Sequence, residues 1–350
     1  MKHSHLSASA AHRWMECPGS VGMSLNVEKL DSDAATEGTK AHGIVESLLS
    51  GEQVKLDDEV MFQYCKDFVD YVQSIPGTIH SELKLDYSWV TGISEIQGEP
   101  DSFGTSDIVI VGDNELHIVD FKYGMTKVSA QNNMQLFLYA MGAKYKFFKG
   151  KKPKIYCHIH QPRIDWVDVW EVPSDIYDMT AKIYNSARQV AAGIDDVGSY
   201  LKSGSHCQWC PARGFCMELN NDMMKLFDEH HVKATPDTFA KVLSQKRLML
   251  NWLEAVEEAA VMCAKEGKDI PGFTLKDGRK GNRKWTTDEL PLPEDVTYKK
   301  VMLTPSEVEK KLPRKKHEEI WQELDQLIER APAKQVLVPD STSDFETEDM

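Results

Sequence analysis

No apolar run in this chain approaches the roughly 20 residues that span a membrane. The opening MKHSHLSASAAHRW carries no apolar signal core. Export and membrane insertion are therefore not expected, and a cytoplasmic location is. No G-x-x-x-x-G-K-[ST] loop occurs, so ATP is not an expected ligand, and no internal repeat is visible. A secreted disulfide framework is missing too. The seven cysteines (Cys17, Cys65, Cys157, Cys207, Cys210, Cys216 and Cys263) are odd in number. In a reducing compartment they are expected as buried thiols or metal ligands. Base is in deficit, 41 Lys and Arg against 55 Asp and Glu, for a net charge of −14. Taken whole, that argues against nucleic acid.

What is present changes that balance. The chain is 41% hydrophobic and 27% charged, an ordinary globular composition. Its 350 residues suffice for a large domain and a smaller one. The charge is unevenly placed. From Lys122 to Lys154 there are eight lysines and no acid. KDGRKGNRK (276–284) and KKLPRKK (310–316) are basic, whereas the last eleven residues hold five acids and no base. Local patches matter more than the sum for binding a phosphate backbone, although lysine-rich stretches are also ordinary solvated faces.

Periodicity predicts a short helix capped by Ser7 and stopping at Cys17-Pro18-Gly19, then helices over 34–50 and about 58–74. HSELKLDYSWV, GTSDIVIV and ELHIVDFK read as strands, the last two joined at GDN. SAQNNMQLFLYAMGAKYKF reads as a helix, KIYCHIHQP and VDVWEV as strands, and about 174–192 as a helix. Thr235-Pro236 opens a long amphipathic helix to about Lys265. A basic hairpin (GFTLKDGRKGNRKWTT), a capping box at Thr304–Glu307 and a helix to about Arg330 follow. These signals predict a main domain over 1–232, a helical and hairpin appendage over 233–338, and a disordered acidic tail over 339–350.

The sharpest local signal is Asp107 followed by Asp120-Phe121-Lys122. Side chains alternate along a strand, so Asp120 and Lys122 share a face. If the two strands pair about GDN, Asp107 and Asp120 meet at the open end of the hairpin. Two carboxylates about 4 Å apart repel by roughly 4 kcal/mol at an effective dielectric near 20. A divalent cation offsets that, and hard oxygen ligands suit Mg²⁺ or Mn²⁺. A lone D-x-K is otherwise a common surface pair, but IVDF sets Asp120 at the end of a core strand. His42 and Glu46 share a helix face, and a neutral His42 suits a further ligand. Glu82 is either an extra ligand or a solvent-facing strand residue, and the second reading is preferred. Gln135 and Tyr139 share a helix face just after D-x-K, positioned to support the site or to contact phosphate.

Cys207-x2-Cys210-x5-Cys216 clusters three thiols, and Cys17, followed by Pro-Gly, is the best fourth. Four thiolates hold zinc or a [4Fe–4S] cluster. One knuckle plus two separated cysteines is less like a zinc ribbon than like an iron–sulfur site. Cys65, Cys157 and Cys263 sit in apolar patterns and read as core thiols.

Together these residues resemble the RecB-like branch of the PD-(D/E)XK nuclease superfamily. That branch carries a helical His (here His42), a G-x-x-D strand (Gly104 to Asp107), the D-x-K strand and a Q-x-x-x-Y helix (Gln135 to Tyr139). Its iron–sulfur subset places one cysteine before these motifs and three after, like Cys17 and Cys207, Cys210 and Cys216. The opening LSASAAHRWMECPGS and the GTKAH segment are similar to a phage and prophage family catalogued as a domain of unknown function. The resemblance implies a restriction-endonuclease-like α/β core, with a mixed sheet flanked by helices, an iron–sulfur staple and a small α+β appendage. It implies Mg²⁺- or Mn²⁺-dependent DNA hydrolysis, with exonuclease action expected. His42, Asp107, Asp120 and the Phe121 carbonyl would bind metal, and Lys122 would act on the water or the transition state. A phage-encoded protein acting in the bacterial cytoplasm would have DNA as partner, with a phage recombinase or single-strand-binding protein beside it. Two other readings stand: a non-catalytic DNA-binding scaffold of nuclease-like fold, and a zinc-stabilised interaction protein.

Overall fold

The computed structural model describes residues 4–25, 27, 33–54, 58–229 and 235–276, with 305, 308–309, 312–314 and 317–328. Two compact units divide the chain: one runs to Asp269, the other covers Ile270–Val338. The division falls after Asp269 rather than after residue 232.

The first unit opens with helices α1 (Ala11–Glu16), α2 (Gly19–Ser24), α3 (Asp33–Ser50) and α4 (Glu59–Ser74). Ser7 makes no side-chain cap, and a 3₁₀ turn over Ala8–Ala10 leads into α1 instead. The Asp58 side chain caps α4, accepting from the Val60 and Met61 amides. Strand β1 (Thr78–Asp86) follows, then the short helix α5 (Ser88–Thr91), β2 (Glu95–Ile96) and β3 (Glu99–Pro100). The Ser-Trp-Val stretch expected to extend β1 thus turns into helix. The Asp86 side chain accepts from the Ser88 amide there, a local bond that competes with the ladder.

Strands β4 (Phe103–Val111) and β5 (Glu115–Phe121) form the expected hairpin, closed by the Gly112 amide donating to the Glu115 carbonyl. Helix α6 (Met134–Phe147) is the crossover to the parallel strand β6 (Lys154–Gln161), which returns antiparallel as β7 (Trp166–Glu171). Asn133 caps α6, so it starts later than the pattern at Ser129 suggested. The result is a mixed five-stranded sheet in the order β1-β4-β5-β6-β7. Helix α7 (Tyr177–Gly193) ends this core.

Alternation sends each strand's apolar residues to two layers. Val109, Leu116, Ile118 and Ile159 pack with residues of α1, α6 and α7. Ile108, Ile110, Val119 and Phe121 pack with Val45 of α3 and Phe68 and Val72 of α4. Helices thus cover both faces. Helices α8 (Met217–Glu229), α9 (Pro236–Ser244) and α10 (Lys246–Lys265) complete the unit. The long amphipathic helix expected here is broken at Gln245. Trp252 of α10 packs with Cys207, Cys216 and Leu219, which explains why this stretch belongs to the first unit. Gly214 permits that contact, since a Cβ there would stand 2.3 Å from the Ala255 carbonyl oxygen.

In the second unit, helix α11 (Glu318–Leu324) buries Trp321 under Arg314, whose guanidinium also pairs with Asp325 and Glu309. The basic hairpin after Lys276, the capping box at Thr304–Glu307 and the acidic tail fall largely or wholly outside the described residues.

Candidate active site and four-cysteine cavity

Strands β1, β4 and β5 meet at a distorted point. Ser81 pairs with Ile108 and Leu83 with Ser106, which sets Glu82 opposite Asp107. Glu82 has φ 46°, in the left-handed region that a non-glycine residue seldom adopts. Alternation reverses across it: Ile79 packs toward α4, whereas Leu83 and Leu85 pack toward α6. Strain of this kind, about 1–3 kcal/mol, persists where the surroundings hold it and concentrates at working sites. Ile108 pairs with Val119, so the next step of the ladder faces Asp107 toward Asp120 on the same side of the sheet.

The expected residues His42, Asp107, Asp120, Lys122, Gln135 and Tyr139 come together here. Asp107 Oδ2 accepts from the Phe121 amide at 2.9 Å, and Asp107 Oδ1 stands 3.7 Å from His42 Nδ1 on α3. Asp120 Oδ1 accepts from Gln135 Nε2 at 2.9 Å, and Asp120 Oδ2 lies 3.0 Å from Lys122 Nζ. That ammonium sits off the hydrogen-bonding direction, leaving buried Oδ2 ion-paired but without a directed bond. Tyr139, one turn beyond Gln135, enters the space left by Gly104, where a Cβ would stand 3.0 Å from its ring. The Phe121 ring is edge-on to His42 at 5.2 Å.

Glu82 is solvent-exposed, as the preferred reading has it, yet it also stands beside two other potential ligands. His42, Glu82 and Asp107 bring one potential metal-ligating atom each within 4.8 Å of one another. Asp120, expected in that set, instead faces Lys122 and Gln135. No sequence signal brought Glu82 to His42 and Asp107, because that placement depends on the left-handed kink.

The electrostatics describe a pocket short of positive charge. Burial and the Asp120 charge push the Asp107 carboxyl well above its usual value, with Lys122 and the Phe121 amide only partly opposing them. Burial, aided by Glu46, raises Glu82. Burial pulls Lys122 down, but Asp120 and Asp107 more than reverse it, so the ammonium is held charged. Burial lowers His42, leaving a neutral imidazole. Two oxygen donors, a neutral nitrogen and excess negative charge fit a hard divalent cation.

A second cluster lies among α1, α2 and the segment before α8. Cys17, Cys207, Cys210 and Cys216 line one small cavity, together with Lys202, His206 and Arg213. The Lys202 amide donates to Cys17 Sγ at 3.3 Å. Burial pushes the Cys17 and Cys216 thiols up and that of Cys207 to about 12. Gly19 is needed for this closure, since a Cβ would meet the Val197 carbonyl oxygen at 2.7 Å. Among the described residues, the His42 trio is the one group of three such donors within 4.8 Å, so no three of these sulfurs are that close. Cys65 and Cys157 are buried in the core, and Cys263 is half-buried.

Fold and site define a mixed α/β protein with an acid, histidine and lysine pocket at the end of its central sheet and a four-cysteine cavity. The chain belongs to the family described as protein of unknown function DUF2800, which matches residues 3–344. Two solved structures are distantly similar. One, a protein named SSO0001, is 14% identical over 62% of this chain and 89% of its own, at a TM-score of 0.34. The other, a candidate exonuclease from Eubacterium rectale, is 10% identical over 66% and 90%, at 0.36. Likeness at that level says nothing about chemistry. No helix among the described residues is long and apolar enough to cross a membrane.

Proposed function

We propose that this protein is a Mg²⁺- or Mn²⁺-dependent deoxyribonuclease that hydrolyses phosphodiester bonds, acting as an exonuclease in the bacterial cytoplasm on behalf of a phage or prophage. The observation that carries the reading is the meeting of His42, Glu82 and Asp107 beside the Asp120–Lys122 pair. A binding module has no use for uncompensated carboxylates next to a held ammonium. His42, Glu82 and Asp107 would hold the cation, with Asp120 and the Phe121 carbonyl at its margin. The bound ion would polarise the phosphate and acidify a water.

The chain's own groups do the rest. Gln135 fixes one oxygen of Asp120, leaving the other to orient Lys122. The Lys122 ammonium is charged and directed at the same point as the carboxylates, where it stabilises the added charge of a pentacovalent phosphate. The Phe121 amide holds Asp107 in place. Tyr139 closes the pocket on the α6 side.

The four cysteines would hold a [4Fe–4S] cluster as a structural staple between the ends of the domain. A tetrahedral zinc with Zn–S near 2.3 Å would bring its sulfurs to about 3.8 Å, closer than any three of these stand. Lys202 and Arg213, which line the same cavity, would oppose the negative charge of four thiolates. DNA would be the partner, with a recombinase or single-strand-binding protein following on the products.

The test is cleavage of end-labelled linear and closed circular DNA by wild type and Lys122→Ala with Mg²⁺ or Mn²⁺. Loss of linear substrate from its ends by wild type alone is expected. Equal products from both proteins, or from neither, would reject the assignment.

A further inference from the structure

The segment leaving the Lys122 strand carries no catalytic candidate, yet it is held more firmly than a surface loop requires. Gln161, fully buried at the end of β6, accepts from the Val128 amide at 2.7 Å and donates to the Thr126 and Gly124 carbonyls at 2.8 and 3.2 Å. Trp166 Nε1 donates to the Val128 carbonyl at 3.1 Å. Asp168 Oδ2 accepts from Ser129 Oγ at 2.9 Å and the Ala130 amide at 2.8 Å. Lys127 Nζ lies 3.3 Å from the centre of the Trp166 ring. All these holding side chains come from the β6–β7 hairpin. A buried amide is costly unless bonded, and every hydrogen bond described for the Gln161 side chain goes to this loop.

The loop so fixed presents Met125, 59% exposed, three residues past Lys122 and so within about 10 Å of it along the chain. Met125 is in none of the apolar clusters of the unit. One face of the Trp166 ring is taken by Lys127. What remains is one narrow, polarizable apolar side chain on a braced backbone, flanked in the chain by Lys122 and Lys127. Side chains of this type enter base steps and part them, while nearby lysines draw the phosphate backbone.

We propose that the loop over residues 124–129 contacts the terminal base pair of a DNA duplex, with Met125 as the wedge that parts it before the scissile phosphate reaches the pocket. This rests on the nuclease reading above. The wedge determines substrate form, favouring paired ends that must be opened, and takes no part in hydrolysis.

Two measurements on the full-length protein test it. Cleavage of a blunt duplex is compared with cleavage of a single strand and of a duplex with a pre-unpaired end. Met125→Ala should slow the blunt duplex about tenfold and leave the other two within about twofold. Gln161→Ala should repeat that pattern, because the loop loses its hold. The second measurement needs no cleavage: in a Lys122→Ala background, 2-aminopurine in the terminal pair should brighten on binding, and added Met125→Ala should abolish the rise. If wild type cleaves no DNA, the nuclease assignment fails, while the fluorescence still reports on the wedge. If wild type cleaves but Met125→Ala treats all three substrates alike, or the fluorescence rise survives, the wedge is rejected and the nuclease stands.

Discussion

Replacing Lys122 with alanine separates the cation-holding role of the pocket from its catalytic one. The ammonium lies 3.0 Å from Asp120 Oδ2, with the lysine side chain 33% exposed and the aspartate side chain 4% exposed. The bare attraction at that distance is about 5 kcal/mol at an effective dielectric near 20. Desolvation and the partial exposure of the lysine cancel most of it, and pairs of this kind contribute about 1 kcal/mol. Stability should therefore fall by about 1 kcal/mol, a Tm change of about 2–4 °C. Metal binding should not fall, because the variant removes a positive charge that repels the cation and competes with it for Asp107. Hydrolysis should fall by about 10²–10³-fold, the usual cost of removing one group that stabilises developing charge. Thermal denaturation, Mn²⁺ titration calorimetry and initial cleavage rates read the three quantities on the same protein. Mn²⁺ affinity falling in step with the rate would refute the reasoning, since Lys122 would then act only by shaping the cation site. Undiminished cleavage would remove it from the mechanism.

Glu82→Gln should weaken Mn²⁺ binding about tenfold by calorimetry and raise the metal concentration for half-maximal cleavage to match; unchanged affinity would remove Glu82 from the cation site. Burial holds His158 and His160 down to about 4, against about 6.5 when unfolded. As pH falls from about 6.5 to about 4 the unfolded chain takes up protons that the folded chain refuses, so each residue should withdraw on the order of 3 kcal/mol of stability across that window. The raised Asp107 and Glu82 carboxyls act oppositely, costing stability as pH rises, so metal-free protein should show the sharper optimum in urea titrations at stepped pH. Cys210→Ser should lower iron content and shift Tm down by several degrees; a soluble variant with unchanged Tm and full activity would refute the staple. Arg163→Ala removes an ion pair to Glu37 at 2.9 Å and a bond to the Tyr123 carbonyl at 3.4 Å. That link joins α3, which carries His42, to the residue after Lys122, so Mn²⁺ affinity should fall about threefold and return when the charges are swapped between positions 37 and 163.

Much of this architecture was legible locally. The spacing of Ala41, Val45 and Leu48 marks α3, and alternation through IVIV and ELHIVDF marks the β4–β5 hairpin, because helix and strand periods are properties of neighbouring residues. The meeting of Asp107 with Asp120, and of Asp120 with Lys122, follows from the hairpin register alone. Glu82 shows where local reading stops. Its side chain joins the pocket only because a left-handed residue reverses alternation, and nothing in HSELKL signals that φ. The division of donors is likewise tertiary: Gln135 and Lys122 claim Asp120, so the trio forms with Glu82 instead. Thr235-Pro236 announced a helix, but its attachment to the first unit depended on Trp252 reaching the cysteine segment. Sequence by itself determined which residues could bear charge, thiol or imidazole, and on which local face. The tertiary structure decided which of them share a point in space, because contacts between distant segments are fixed by packing and by the desolvation that packing imposes.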